Sequence, residues 1–112
     1  MKDVKFLFFL KIKMQPQLYK LYKSTNPSKK FDVYVIDPKT QNVRKVSFGA
    51  TGYEDYTIHK DKERRDRYWM RHKKDRLTDI TAPGSWSAFV LWGEHTSINK
   101  NLKDMLKFFN VK

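Results

Sequence analysis

The residues best suited to chemistry lie between Gly52 and Arg76, where basic, aromatic and histidine side chains are concentrated. From Thr57 to Arg76 there are nine Lys and Arg residues and four Asp and Glu residues, a local excess of five positive charges. Arginine forks bind phosphate through paired hydrogen bonds, and flat aromatic rings stack on nucleobases. The segment therefore predicts contact with a polyanion, which can be nucleic acid, an anionic membrane surface or an acidic partner protein.

Helical spacing would arrange part of this charge as one continuous row, which we call the basic stripe. It follows positions i, i+3, i+7 and i+10, and its members are Arg64, Arg67, Arg71 and Lys74. Tyr68 and Trp69 would lie on an adjoining face with Arg65 and His72. An alternative makes the rings core anchors and the charges a solvated face, because a small domain needs its large side chains inside. The predicted polyanion-binding residues are Arg64, Arg65, Arg67, Arg71, Lys73 and Lys74.

Catalytic motifs are weak in this chain. His59, Lys60 and Asp61 superficially resemble phosphodiesterase HKD sites, but here the three residues are consecutive. Consecutive residues on a helix point in different directions, so they could not converge on one phosphate. Asp is a preferred residue at the N-cap, the position just before the first turn of a helix. The triplet therefore indicates a helix N-terminus that Asp61 caps.

The remaining candidates for metal binding or nucleophilic catalysis also lack the required spacing. His59, His72 and His95 contain no pair at the i, i+4 spacing of a zinc-binding helix, and there is no cysteine. The sequence GSWS around Ser85 lacks the second glycine of a nucleophile elbow. We therefore predict a non-enzymatic protein with no catalytic residues, no metal, no cofactor and no small-molecule substrate.

Length and composition predict one folded domain over residues 1–112. The chain is 39% hydrophobic with eight Phe, six Tyr and three Trp, enough to form a modest core, and its net charge is +12. Cysteine is absent, and small secreted domains usually depend on disulfides, so an intracellular or virion-interior setting is favoured over secretion. The apolar run Phe6–Leu10 is short of a signal-peptide core and of the roughly 20 residues of a membrane-spanning helix.

Residues 1–30 are interpreted as a basic N-terminal strand and connector, with eight Lys and one acidic residue. Every second residue from Val4 to Met14 is apolar, which is typical of a strand with one buried face. A short amphipathic helix is the alternative for this stretch. Within the connector, Leu18–Lys23 is compatible with a turn or two of helix, and Ser24–Ser28 indicates a loop.

A β-hairpin is predicted next. Phe31–Ile36 and Val43–Phe48 are rich in residues that favour strands, and Pro38 lies in the turn between them, where Asp37 can cap the bend. Gly49 and Gly52 indicate that the sheet ends there, because glycine favours backbone conformations that strands avoid.

Helical patterns dominate after Thr57. We expect a helix that Asp61 or Thr57 caps and that runs to about Lys74. A second should begin near Pro83–Ser85 and stop at Gly93. A third should be capped by Thr96 or Ser97, with one apolar stripe formed by Ile98, Leu102, Met105, Leu106 and Phe109.

The predicted fold class is therefore α+β, with N-terminal strands and a β-hairpin followed by two or three short C-terminal helices. We expect the two halves to be held together by a core of large aromatic residues. Its predicted members are Phe48, Tyr56, Tyr68, Trp86, Phe89 and Trp92.

Much of the chain after residue 30 resembles a family of small, basic, uncharacterised proteins encoded by giant nucleocytoplasmic large DNA viruses. The resemblance rests on SFGATGYEDYTIHKDKERRDRYWMRHKKD and PGSWSAFVLWGEHTSINKNLKDM. Two residues depart from the shared pattern, Ala88 and Glu94, where larger or more basic residues are expected. The matching positions are Ser47, Phe48, Gly49, Gly52, Tyr53, Asp55, Tyr56, Thr57, His59, Lys60, Asp61, Arg64, Tyr68, Arg71, His72, Lys73, Leu91 and Trp92.

The resemblance implies a viral origin and a place in the virion, the host cytoplasm or the viral factory, with residues 31–112 as the family-like core. It carries no activity that could be transferred. One hypothesis is a virion structural protein of minor capsid type, a small basic adaptor that contacts other virion proteins and an anionic surface such as DNA or membrane. The alternative is a non-specific protein that binds and condenses viral DNA. The adaptor hypothesis predicts an exposed apolar patch, and the alternative predicts salt-dependent binding to any duplex.

Overall fold

Three antiparallel strands form the first half of the described chain. The computed structural model describes residues 16–73 and 77–111. In sequence order the strands are β1 (Leu21–Lys23), β2 (Lys29–Ile36) and β3 (Val43–Ala50), and they lie in the sheet in the order β1-β2-β3. Helices follow the sheet, so the predicted α+β class is confirmed.

The hairpin between β2 and β3 forms as predicted, with Phe31 opposite Phe48. Asp37 closes its turn by accepting a hydrogen bond from the Lys39 N–H at 2.9 Å, and Arg44 approaches the same carboxylate at 3.3 Å. The Lys39 N–H is the main reason that the pKa of Asp37 is below its usual range. Gln41 supplies the left-handed residue of the turn, with φ 64°. Local turn chemistry is therefore enough to set the register of this hairpin.

The expected helical turns at Leu18–Lys23 were wrong, because part of this stretch is strand β1. Leu21 lies opposite Val33 and Lys23 opposite Phe31, so β1 adds an edge to the hairpin. Pairing with β2 across the short loop of residues 24–28 has overridden the local helical tendency. The strand predicted between Val4 and Met14 lies outside the described residues.

A buried carboxylate ties the loop after β1 to the sheet. Asp32 is 3% exposed and accepts hydrogen bonds from the hydroxyls of Ser24 and Ser47, each at 2.6 Å, and from the Thr25 N–H at 3.2 Å. Burial raises the pKa of Asp32, and the hydrogen bonds from Ser24 and Ser47 lower it, with the net result below its usual range. The carboxylate therefore stays ionised and holds the loop and both long strands together.

Four helical segments follow the sheet among the described residues, where two or three helices were expected. They are α1 (Tyr56–His59), α2 (Lys62–His72), α3 (Pro83–Trp86), which continues into a π-helical turn at Ser87–Leu91, and α4 (Ile98–Phe108). None of the helices in the described ranges is long and apolar enough to cross a bilayer.

The predicted helix caps are confirmed for α2 and α4. The Asp61 carboxylate accepts hydrogen bonds from the N–H groups of Glu63 and Arg64, at 3.0 and 3.2 Å. The Ser97 hydroxyl accepts one from the Lys100 N–H at 3.3 Å. Thr57 lies in the separate helix α1, which Lys60 ends by adopting a left-handed conformation with φ 58°.

The core lies between one face of the sheet and the helices that follow it. Phe48 and Trp86, two of the predicted core residues, are fully buried with their ring centroids 5.8 Å apart. The other four predicted residues are only half-buried, and three of them, Tyr68, Phe89 and Trp92, line surface depressions at the edge of the core. Aliphatic residues complete the core, namely Val33, Val35, Val46, Ile80, Val90, Leu91 and Met105.

Candidate functional site

An open cleft of about 410 Å³ lies alongside α2, and we call it the arginine cleft. Its α2 side carries Arg64, Arg67 and Arg71. The end of β3 contributes Gly49 and Ala50, and the loop after it contributes residues 53–55. The remaining lining residues are Lys30, Tyr68, His72, Ser87, Leu91 and Trp92. Segments from both halves of the fold therefore build this site.

Three of the four members of the basic stripe line the arginine cleft. Arg64, Arg67 and Arg71 are exposed, and over their seven-residue span the helix rises by about 10 Å. Within residues 16–73 and 77–111, no carboxylate lies within ion-pair distance of their guanidinium groups. Lys74, the fourth member, lies outside the described residues. Lys73 is exposed at the end of α2 but does not line the cleft.

Arg65 points away from the cleft and packs against the protein. Its Nε donates to the carbonyl oxygens of Trp92 and Gly93, at 3.1 and 2.7 Å. The guanidinium carbon lies 5.8 Å from the ring centroids of Tyr56 and Trp69. The Trp69 Nε1 donates to the same Trp92 carbonyl at 2.6 Å. Arg65 and Trp69 thus fasten α2 to the end of the π-helical turn, a role that sequence reasoning had not assigned to Arg65.

A column of rings in mutual contact borders the arginine cleft, and Tyr68, His72 and Trp92 of this column line it. The Tyr68 and Trp92 rings are parallel within 1° with centroids 4.4 Å apart, and the centroid of the His72 ring lies 4.3 Å from that of Tyr68. The His59 ring lies 5.2 Å from Trp92. The interpretation of Tyr68 as a packing residue is therefore supported, since its ring is in contact with two others. Tyr53 differs from these rings because it is 75% exposed.

An ion pair holds the loop that forms the far side of the cleft. Lys30 Nζ lies 2.7 Å from the Asp55 carboxylate and donates to the Tyr53 carbonyl oxygen at 2.5 Å. Asp55 is 3% exposed and also accepts hydrogen bonds from the N–H and hydroxyl of Thr57. The charges of Lys30 and Asp55 cancel. The cleft then keeps three guanidinium groups and the exposed carboxylate of Glu54, a local excess of two positive charges.

The predicted helix N-terminus at His59, Lys60 and Asp61 is confirmed, and the triplet also forms the junction with a preceding helix. His59 Nδ1 accepts a hydrogen bond from the Asp61 N–H at 2.9 Å, while its buried Nε2 has no hydrogen-bond partner among the described residues. Lys60 separates α1 from α2, and Asp61 caps α2. Each of the three residues therefore has a structural part in turning the chain between the two helices.

Histidines do not gather into a metal site in the described part of the chain. His59 and His72 lie at different points of the ring column, and His95 pairs with Asp104 at 3.1 Å. Across residues 16–73 and 77–111, no three His, Cys, Asp or Glu side chains are arranged so that they could hold a metal ion.

A second depression, which we call the apolar groove, lies on the other side of α2 and has a volume of about 650 Å³. The aromatic rings of Trp69, Phe89 and Phe108 line it, together with Arg65, Gly93, Glu94, Asn101, Asp104 and Lys107. Phe108 is 58% exposed, and its ring centroid lies 5.0 Å from that of Phe89. The groove is therefore an aromatic surface with a charged rim.

Sequence reasoning did not assign Tyr53, Lys30 or Phe108 to a site. Two adjacent phenylalanines at the end of an amphipathic helix were a usable signal for Phe108, because only Phe109 falls on the predicted apolar stripe. No comparable signal existed for Lys30, because its partner Asp55 is 25 residues away.

Comparison with protein families finds a match over part of the chain. Residues 19–72 are similar to a family of unknown function (DUF5754). The matched stretch is 54 of the 112 residues, just under half of the chain, and it runs from the residues before β1 to the last residue of α2. It therefore includes all three arginines of the cleft. No curated protein and no solved structure matches the chain.

Proposed function

We propose that this protein is a non-enzymatic adaptor that holds a phosphate-bearing polyanion in the arginine cleft. The observation that carries this proposal is the convergence of Arg64, Arg67 and Arg71 on one open cleft with no carboxylate partner among the described residues. Guanidinium groups without a carboxylate partner among the described residues have donors to offer a ligand, and their planar fork matches the geometry of phosphate oxygens.

The net charge of the whole chain also favours the binding of a polyanion. A net charge of +12 raises the local concentration of any polyanion and speeds its encounter with the protein. Long-range attraction of this kind acts over the whole surface, whereas the three arginines supply a defined place for the contact. The proposal therefore depends on the position of the three arginines as well as on the total charge of the protein, and an experiment can separate these two effects.

Replacing Arg64, Arg67 and Arg71 together with Gln is expected to weaken binding of inorganic polyphosphate and of a short DNA duplex at least about tenfold near physiological salt. Each neutralised phosphate releases counterions, so the slope of log affinity against log salt should flatten by about 0.9 for each duplex phosphate that the variant no longer neutralises. Fluorescence anisotropy over a salt series measures both quantities. Folding should be retained, because exposed charges contribute little to stability.

The matched control removes the same charge elsewhere. Lys39, Lys100 and Lys103 are exposed and lie outside the arginine cleft, so their joint replacement with Gln leaves the same net charge as the arginine variant. We expect the control to lose much less affinity than the cleft variant. Equal losses in the two variants would contradict the proposal, because they would mean that total charge alone governs binding.

The apolar groove supports the adaptor role over that of a protein that only condenses DNA. An adaptor must bind a second protein, and aromatic residues are enriched at the centres of such interfaces. The rim carries the exposed carboxylate of Glu94 beside the exposed ring of Phe108. We therefore propose that the groove receives an apolar segment of another virion protein that carries a basic residue near Glu94. A DNA-condensing protein would use the arginine cleft but would have no need of the groove.

The proposed location in virus particles rests on the sequence resemblance to proteins of large DNA viruses. A substitution in the apolar groove can test it. Phe108→Ser is expected to reduce the amount of this protein in purified virus particles several-fold, because it removes the most exposed ring of the groove. Quantitative mass spectrometry of particles whose outer shell is removed stepwise measures this amount. Met70→Ser is the control, since Met70 is also exposed but lies outside the groove. Unchanged incorporation of the Phe108 variant would favour the DNA-condensing alternative.

A further inference from the structure

We infer that the polyanion in the arginine cleft is single-stranded nucleic acid, with one unpaired base stacked on the ring of Tyr53. This inference rests on the proposed function, because it names the ligand of the same cleft. Tyr53 lines the cleft and is 75% exposed. Proteins usually bury large aromatic rings, and an exposed one beside a cationic cleft is the arrangement that binds single strands.

The backbone at Tyr53 is anchored although its side chain is exposed. Its carbonyl oxygen accepts a hydrogen bond from Lys30 Nζ at 2.5 Å, and Asp55, two residues later, is buried and paired with the same lysine. On the other side, Gly52 makes the turn into this segment with φ 84°. A base that stacks on Tyr53 would therefore bind to a side chain whose backbone is already fixed, so no backbone entropy need be lost there on binding.

The remaining aromatic surfaces of the cleft are already in use within the protein. Tyr68 stacks on Trp92 at 4.4 Å and also contacts the His72 ring. Trp92 has the His59 ring on a further side, at 5.2 Å. A base stacked on Tyr68 or Trp92 would have to displace one of these contacts. Among the described rings that line the cleft, Tyr53 is the one that is mostly exposed.

Charge divides the arginine cleft into a phosphate side and a base side. The guanidinium groups of Arg64, Arg67 and Arg71 lie on α2, whereas the exposed carboxylate of Glu54 is adjacent in sequence to Tyr53. A carboxylate repels phosphate but accepts hydrogen bonds from the exocyclic amino group of a base such as cytosine. Phosphates should therefore contact α2, and a base should lie towards Tyr53 and Glu54.

The size of the cleft favours a single strand over a duplex. A volume of about 410 Å³ is within the range of sites that hold one small molecule. Stacked neighbours cover both faces of a base within a duplex, so an intact double helix could contact the arginines but could not offer a free base face to Tyr53.

The experiment compares three probes of equal strand length: a cytidine oligodeoxynucleotide, an abasic strand with the same phosphates, and a duplex. Fluorescence anisotropy should show that the protein binds the cytidine strand about 5- to 150-fold more tightly than the abasic strand, the range of one base–aromatic stack. Tyr53→Ala should remove most of that difference, and Tyr53→Phe should preserve it. Val43→Ala, at an exposed residue outside the cleft, should leave all three affinities unchanged.

The outcomes separate failure of this inference from failure of the proposed function. If the cytidine and abasic strands bind equally well and the three-arginine variant weakens both, the phosphate site stands and the stacking inference is overturned. If Tyr53→Phe loses as much affinity as Tyr53→Ala, the hydroxyl rather than the ring makes the contact, which also overturns stacking. If no probe binds, or the arginine variant binds every probe normally, the proposed function fails as well.

Discussion

Replacing Trp86 with alanine should lower the free energy of unfolding by about 3–5 kcal/mol, the range for deleting a fully buried tryptophan. Trp86 is fully buried, and its ring centroid lies 5.8 Å from that of Phe48 on the sheet. Its Nε1 also donates to the Ile80 carbonyl oxygen at 2.7 Å. The loss is a large fraction of the roughly 5–15 kcal/mol that stabilises a typical domain. Urea denaturation followed by far-ultraviolet circular dichroism measures it.

Two further variants separate the contributions of Trp86. Trp86→Phe keeps an aromatic ring but leaves the Ile80 carbonyl without its donor, which should cost about 1–3 kcal/mol. Met70→Ala, at an exposed position, should change stability by less than about 0.5 kcal/mol. A denaturation midpoint of Trp86→Ala close to that of Met70→Ala would show that the sheet and the helices do not share a core around Trp86.

The second large effect is expected at Asn101, whose side chain is 1% exposed and fully hydrogen-bonded to backbone. Its Oδ1 accepts from the His95 N–H at 2.9 Å. Its Nδ2 donates to the carbonyl oxygens of Val90 and His95, at 2.9 and 2.8 Å. Asn101→Ala leaves three backbone groups without these partners. Because one unsatisfied buried group costs about 1–3 kcal/mol, we expect a total loss of at least about 3 kcal/mol.

The same helix supplies the control for this prediction. Asn99 is exposed, two residues before Asn101, so Asn99→Ala changes the same residue type on α4 and should alter stability by less than about 0.5 kcal/mol. Thermal and urea denaturation of both variants measure the difference. If the two variants unfold at the same urea concentration, the backbone groups at Val90 and His95 do not depend on the Asn101 amide, and the prediction is wrong.

Asn101 also contributes indirectly to the position of the arginine cleft, because its side chain lies next to Gly93. A Cβ atom built on Gly93 would lie 2.6 Å from the Asn101 side chain and 2.3 Å from the Phe89 carbonyl oxygen, so only glycine fits between them. The Gly93 and Trp92 carbonyls accept the hydrogen bonds of Arg65 that fasten α2. The amide of Asn101 therefore supports the segment on which α2, and with it the cleft arginines, is anchored.

Elements whose determinants are close together in the chain were predictable from the sequence. The hairpin turn needs only Asp37 and its neighbours, and the starts of α2 and α4 need only Asp61 and Ser97. Each of these contacts joins residues two or three positions apart, so residue type and spacing are sufficient to identify them. Phe48 and Trp86 were identified as core residues because a small domain must bury some of its large aromatic rings.

The sequence also identified the basic stripe, since helical spacing alone aligns Arg64, Arg67 and Arg71. It could not identify what lies beside them. β1 has only three residues, too few for an alternating pattern to be recognised, and the far side of the cleft is held because Lys30 reaches Asp55, 25 residues away. Neither feature leaves a periodic signal in the sequence.

Tertiary structure decided which side chains remain available to a ligand. Arg65 follows Arg64 directly in the sequence, but successive residues of a helix point in directions about 100° apart. The side chain of Arg65 therefore points towards the end of the π-helical turn, where it donates to the Trp92 and Gly93 carbonyl oxygens. Tyr68 is covered by other rings and Tyr53 is exposed, although both are tyrosines in the same basic segment. The sequence by itself determined the local elements and the alignment of the positive charge. Packing between distant segments determined which of those residues form the arginine cleft, because burial depends on what the rest of the chain places beside each side chain.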